Sequence, residues 1–263
     1  MRPSAASHPV LEQPPERAHI VHVYQKDDLL AEIVGLFAAA GIAREEGVVI
    51  IATPEHQALF ARTLDKMGFD LDQARREGRF ASLDAATVLA SFSANGRFDS
   101  DIFQRVIGEA LDGVGPKGRP VRAYGEMVDI LWQKGDREAA IALERMWNDL
   151  GKRRSFALFC AYRVDNLDAK AYESGLQAIC DTHSHFIPAL DYRQFEASVD
   201  AAIAQTLGPA LAKMLWQVSG PQNHPAAEMP EAQSRLLWLK KNMPITGDKV
   251  LDRLKAYRRG EPK

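Results

Sequence analysis

Apolar and polar positions along this chain repeat with two different periods, and the switching between them predicts the fold. Short apolar runs of strand length recur at residues 19–24, 48–52, 79–83, 121–124 and 156–162. Val48-Val49-Ile50-Ile51 and Phe156-Ala157-Leu158-Phe159 are apolar without a break, the pattern of central parallel strands buried on both faces. Between the runs the period lengthens to that of a helix. Leu29, Leu30, Ile33, Leu36 and Phe37 share one face of a helix that Asp27 or Asp28 can cap and that reaches Ile42. Pro54 suits the first turn of a second helix, which Met67-Gly68 ends. A short acidic and basic segment covers 70–77; helices follow at 85–92 and 100–111 on either side of Asn95-Gly96, and a turn-rich run at 113–120 ends the second. Helices at 125–133 and from an Asp136 cap to Leu150 complete the series. Strands alternating with helices predict an α/β fold, a mostly parallel central sheet flanked by helices.

After Tyr162 no further strand pattern is visible. Helices are expected at 169–182, 192–205 and 209–218, then at 231–242 and, behind a Thr246 cap, at 247–257, with a proline-containing break at 219–230. Residues 1–17, with Pro3, Pro9, Pro14 and Pro15, lack the apolar core of a signal peptide and are expected to form a loose, disordered tail. The expected division is therefore a tail at 1–17, an α/β domain at 18–188 and an all-helical extension at 189–263.

Composition removes several function classes. With 46% hydrophobic and 26% charged residues the chain can bury a core and is not disordered throughout. A net charge of −2 excludes a globally positive surface seeking nucleic acid. That average hides an asymmetry: residues 235–263 carry nine Lys or Arg against three Asp or Glu, a local +6 that leaves −8 for the rest. The basic end is the expected place for a signalling protein or a second copy of the chain to dock. Nucleic acid is not expected there, because Leu236, Leu239, Val250, Leu251 and Leu254 read as packing faces beneath a solvated basic side. Two cysteines are too few for a disulfide framework, and no stretch approaches the ~18 apolar residues of a membrane span, so a soluble cytoplasmic protein is expected.

Ligands of parallel α/β sheets bind outside the carboxyl ends of the strands. Here those ends read Tyr24-Gln25, Thr53-Pro54-Glu55-His56, Asp84, Tyr124-Gly125-Glu126 and Tyr162-Arg163. Tyr24, Thr53, His56, Asp84, Tyr124, Glu126 and Tyr162 are thus the candidate ligand-binding residues, backed by Met127 and Trp132. The structural alternative makes Asp84 and Glu126 helix-start residues and the tyrosines packing groups. Neither GxxxxGK[ST] nor GxGxxG occurs, and Tyr24-Gln25-Lys26-Asp27-Asp28 puts carboxylates where a phosphate would sit, so no cofactor and no catalytic activity is expected. Cys180-x-x-His183-x-His185 offers three metal ligands, with a fourth needed from Cys160 or His56. A core-facing Cys180 and carbonyl-capping histidines are the preferred reading, so no metal is expected. His19 and His22, three apart in a strand, point to opposite faces and cannot chelate together.

His22-x-Tyr24, then Val49 to His56, Gly78-Arg79-Phe80 with Leu83-Asp84-Ala85, and Val121 to Met127 together resemble the MEDS domain, the methanogen/methylotroph sensory domain of a dichloromethane-responsive regulator. Leu143-Glu144, Trp147-Asn148, Phe159-Cys160-Ala161-Tyr162 and Cys180-x-x-His183 continue the resemblance, which covers about 19–188. It implies a relative of KaiC and RecA-type cores without the Walker A loop, and a sensor of small organic molecules; the C-terminal helices of this chain are the expected relay. The positions it carries over are His22, Tyr24, Thr53, His56, Asp84, Tyr124, Glu126, Trp147, Cys160, Tyr162 and His183. The rival readings are a residual nucleotide-binding enzyme using Glu55, Asp84 or Glu126, and a DNA-associated regulator acting through the basic end.

Overall fold

The strands form where the apolar runs lie, in a computed structural model that describes residues 9–94, 96–115, 118–173, 175–188, 192–218 and 229–260. The chain divides into two units, Met1–Arg163 and Val164–Lys263. In chain order the first contains α1 (Pro9–Glu12), β1 (His19–Tyr24), α2 (Asp27–Ala43), β2 (Gly47–Ala52), α3 (Pro54–Lys66), α4 (Leu71–Arg76), β3 (Phe80–Asp84) and α5 (Ala85–Phe92). It continues with the two-residue strands β4 (Ser93–Ala94) and β5 (Arg97–Phe98), then α6 (Ser100–Val114), β6 (Val121–Gly125), α7 (Met127–Gln133), α8 (Arg137–Arg153) and β7 (Ala157–Arg163).

Five strands pair in parallel in the order β3-β2-β6-β7-β1. The register puts Ile50, Tyr124 and Phe159 abreast on one face. There Phe159 meets Phe37 of α2 and Tyr124 meets Phe60 of α3, each edge-on at 5.4 and 5.3 Å. Gly125 and Cys160 are abreast on the opposite face, under Trp147 of α8, which in turn packs on Phe103 of α6. The connection leaving β2 therefore covers one face and the one leaving neighbouring β6 covers the other. A crevice opens between two strands whose connections diverge in this way, and it is here that α/β sheets bind ligands.

Local chemistry accounts for four of the helix starts in this unit. Asp70, Asp84, Asp99 and Asp136 each accept a backbone N–H from the first turn of the following helix. The segment at 70–77 is thereby helical rather than merely charged. Asp27 is different: its helix has no side-chain cap, because its carboxylate is committed elsewhere.

From Pro9 the expected loose tail is part of the fold. Leu11 is fully buried, and the carbonyls of Leu11 and Glu12 accept hydrogen bonds from the Arg122 guanidinium at 2.6 and 2.9 Å. Arg122 is itself buried in β6 and also pairs with Glu46 and with the Phe37 carbonyl. Gly41 makes this passage possible, since a Cβ there would stand 2.9 Å from Arg122 Cδ. Residues 1–8 of the expected tail, Asn95, 116–117 of the expected turn and 219–228 of the expected break lie outside the described residues.

The second unit contains α9 (Gly175–Thr182), β8 (His185–Ile187), α10 (Tyr192–Leu207), α11 (Pro209–Val218), α12 (Glu231–Asn242) and α13 (Pro244–Arg258). Helices α10, α12 and α13 pack on one another through Val199, Ile203, Leu236, Leu239, Val250 and Leu254, all buried. Three expectations are corrected. The helix expected at 169–182 is a 3-10 turn, Ala169–Tyr172, followed by the shorter α9. A short strand does follow Tyr162, at His185–Ile187. The last helix starts at Pro244, three residues before the expected position, because Pro fits a first helical turn and Thr246 is not needed as a cap. No described helix is long and apolar enough to cross a membrane.

Candidate functional site

The crevice between the carboxyl ends of β2 and β6 is filled by side chains from the turns that follow these strands. Glu126 begins α7, and its carboxylate turns back across the crevice instead of capping the helix. It accepts hydrogen bonds from Thr53 N–H at 3.1 Å and Thr53 Oγ1 at 3.3 Å, and lies 2.7 Å from His56 Nδ1. On the other side of the ring, His56 Nε2 is 3.3 Å from Asp27 Oδ1. An imidazole with a carboxylate at each nitrogen donates to both only when protonated. Burial opposes the charge on His56, but the hydrogen bonds and charges of Glu126 and Asp27 outweigh it and raise its pKa above the ordinary 6.5.

A second acid stands beside the first. Asp129 accepts from Tyr24 Oη, from Arg163 N–H and from Gln133 Nε2, each at 2.9 Å. Burial raises its pKa, those hydrogen bonds lower it, and the Glu126 charge raises it again, with a net upward shift. Burial first, then Asp129, pushes the Tyr24 phenol upward, so it remains a donor. The Arg163 guanidinium lies 5.2 Å from the centre of the Tyr24 ring and pairs with Asp27. Glu126, His56 and Asp129 are buried, whereas the Asp27 and Arg163 side chains are 45% and 41% exposed. The cluster is closed inside and opens at that charged lip.

Of the sequence candidates, Tyr24, Thr53, His56 and Glu126 come together here. Tyr124 lies alongside: its ring is fully buried and meets Phe60 and Phe159, and its hydroxyl has no hydrogen-bond partner among the described residues. Burial first, then the charges of Glu126 and neighbouring groups, holds that phenol far above its ordinary pKa. Asp84 does not take part in this hydrogen-bonded cluster; its carboxylate caps α5 through Thr87 N–H at 2.7 Å, as the structural alternative had it. Tyr162 is on the other sheet face, where its hydroxyl donates to Glu144 of α8 at 2.6 Å. A register alternating by residue makes this unavoidable, since Tyr162 and Cys160 point away from Phe159. Asp27, Asp129 and Arg163, which complete the cluster, were not among the candidates.

Phe60 also walls a cavity of about 300 Å³ between α3 and strands β2 and β3, lined by Ile50, Gln57, Ala61, Leu64 and Ser82 among others. Gln57 bridges the strands below it, donating to the carbonyls of Ala52 and Leu83 and accepting from Ser82 Oγ at 2.7 Å. On its other flank the Phe60 ring stacks on His56, with centroids 5.5 Å apart. One ring therefore separates an apolar void from the polar cluster.

The remaining metal candidates are placed in the second unit. Cys180 is buried on α9, and burial pushes its thiol up to about 12. His183 Nδ1 lies 2.7 Å from the Ile179 carbonyl, the carbonyl-capping role preferred for it, and His185 sits in β8. Neither Cys180 nor His185 joins a group of three metal-capable side chains among the described residues. In the basic end, Arg235 pairs with Asp200 and Glu231, Lys240 with Asp248, and Arg258 with Asp165, so part of the local excess is met within the unit.

No curated protein compared with the chain matches it. A model of the methanogen/methylotroph, DcmR sensory domain (MEDS) matches residues 18–184, which takes in the whole sheet of the first unit and runs past it to α9. A match over more than half of the chain, carrying Tyr24, Thr53, His56 and Glu126 on the strand ends, places this chain in the MEDS family of sensory domains.

Proposed function

We propose that the protein is a cytoplasmic sensor, not an enzyme, that binds a small neutral organic molecule beside the His56–Glu126 cluster and passes the event on through its C-terminal helices. The observation that carries this reading is the position of Phe60, between a cavity of about 300 Å³ and the rings of His56 and Tyr124. That volume is at the lower end of ligand pockets, and its lining is mainly apolar with Gln57, Ser82 and Arg75 as polar points, the last paired with Asp72. Rotation of Phe60 would bring a ligand in the cavity to the Tyr124 hydroxyl, which lacks a partner among the described residues. A buried hydroxyl left unpaired costs roughly 1–3 kcal/mol, so a ligand that accepts from it gains differential affinity for the rearranged state. Acids and bases around it are already paired, which favours a neutral ligand over an ion. The signal would leave through the basic α12 and α13 to a partner protein or a second copy.

Isothermal calorimetry of the full chain against short-chain alcohols and haloalkanes tests the reading. At least one of them is expected to bind, with affinity lost at least about tenfold in Ala61→Phe, which puts a ring into the cavity, and weakened in Tyr124→Phe. Binding unaffected by both variants, or no binding by any probe, overturns it.

A further inference from the structure

On the sheet face covered by α8, a second buried cluster has no part in the reading above. His19 at the start of β1, Cys160 in β7 and Glu144 in α8 bring one donor atom each to a common point. The parallel register sets Cys160 beside Val21, so Cys160 and His19 share a face, and Glu144 descends on them from the helix. All three are buried. Their spacing is specific: His19 Nε2 to Glu144 Oε2 is 3.2 Å, Cys160 Sγ to His19 Nε2 is 3.5 Å and Cys160 Sγ to Glu144 Oε2 is 3.5 Å.

Tetrahedral zinc bound at ordinary N, O and S distances sets its donors about 3.3 Å apart for N and O, and about 3.6 Å apart where sulfur is one of the pair. The triangle His19–Glu144–Cys160 has those edges. We propose that it is a binding site for a zinc-class divalent cation, supplying three corners of the coordination shell.

The surroundings fit such a site. His19 Nδ1 is 2.9 Å from Asn148 Oδ1, and an amide oxygen only accepts; Nδ1 therefore carries the proton and, in the neutral ring, Nε2 turns its lone pair to the point it shares with the other two ligand atoms. Tyr162 donates to the remaining Glu144 oxygen, so both ligands with a second polar atom are oriented from outside, as metal sites require. Without a cation, the Cys160 thiol donates to Glu144 Oε2. Binding releases the Cys160 proton to solvent and leaves a thiolate, an imidazole and a carboxylate around the ion. A cavity of about 390 Å³ at the amino ends of β1 and β7 is lined by His19, Asn148 and Trp147, whose buried indole N–H has no partner among the described residues.

The test uses the full chain purified without chelator. About one zinc per chain is expected, and X-ray absorption at the zinc edge should show one sulfur among nitrogen and oxygen ligands. After metal removal, added Co²⁺ should give a near-ultraviolet thiolate-to-cobalt band that survives Cys180→Ser and disappears in Cys160→Ser. Asn148→Ala should weaken zinc binding by about 10-fold to 100-fold. A wild-type chain with neither retained metal nor a cobalt band overturns the proposal, as does a band that Cys160→Ser leaves intact or a zinc shell without sulfur. Wild-type absorption decides the matter even if Cys160→Ser does not fold. Loss of small-molecule binding in Ala61→Phe with zinc retained keeps this result separate from the ligand reading.

Discussion

Two polar clusters lie on one sheet, and they differ in what encloses them. The His56–Glu126–Asp129 group sits at the carboxyl ends of the strands and meets water at the half-exposed Asp27 and Arg163. The His19–Glu144–Cys160 group is held between strands and α8, with no exposed member. At the strand ends the charges are balanced side chain against side chain, and the outer pair can part at low cost. Under the helix a carboxylate is fully buried, and Tyr162 and Cys160 are spent on satisfying it. Clusters of similar chemistry thus suit opposite tasks: the open one can change partners when a ligand arrives, and the closed one can only be kept or emptied.

The largest expected effect breaks the closed cluster. Glu144→Ala takes away the carboxylate that accepts from Tyr162 Oη and from the Cys160 thiol, in a place water reaches poorly. Hydrogen bonds to a charged group contribute roughly 1.5–3 kcal/mol each, so losing two costs about 3–5 kcal/mol. Urea unfolding followed through tryptophan fluorescence should report a loss of that size. A loss under about 1 kcal/mol would mean that water replaces the carboxylate freely, and the contrast between the clusters would disappear.

Why the open cluster was legible in the sequence and the closed one was not follows from how each is built. Tyr24, Thr53, His56 and Glu126 each sit one or two positions past an apolar run, so strand ends and the carboxyl-end rule were enough to gather them. Their partners needed more. Asp27 looks like a helix cap, and its real commitment to His56 depends on where β1 lies relative to β2, which no local pattern contains. The closed cluster depends on pairing register: His19 and Cys160 are 141 residues apart and meet only because β1 pairs with β7. Reading His19 against His22 correctly excluded a chelate of those two, but the partner of His19 was in another strand. The same limit explains Tyr162, which shares a strand end with Arg163 and yet faces the opposite side. Helix and strand positions came through almost unchanged because they rest on local period. The split of the helix expected at 169–182 is one exception, where side-chain contacts decided and periodicity did not.

A smaller effect concerns pH. The pKa of His56 is raised in the folded state, so its contribution to stability is fully present below 6.5, where the ring is protonated folded and unfolded alike. It is lost as the pH rises through the raised folded value. The stability difference between the wild-type chain and His56→Gln should therefore shrink from about pH 5 to about pH 9. Because the Asp27 side of the ring is screened by water, the change is expected to stay within about 1 kcal/mol. A difference that grows with pH would reverse the assignment of charge to the ring.

The smallest effect on stability tests the lip. Asp27 and Arg163 are each more than two-fifths exposed, and ion pairs of that kind contribute roughly 0–1 kcal/mol, less at high salt. Asp27→Asn should then unfold within about 1 kcal/mol of wild type. It should nevertheless loosen the site, since the imidazole loses one of its two carboxylates and Arg163 loses its partner across the entrance. Hydrogen exchange can separate the two consequences. The Thr53 amide, which donates to Glu126 inside the lip, should exchange several-fold faster in Asp27→Asn, while amides of β7 beneath α8 keep their wild-type protection. If β7 also loses protection, the strand ends are as firmly joined to the core as the closed cluster, and a ligand could not part the lip without unfolding what lies below it.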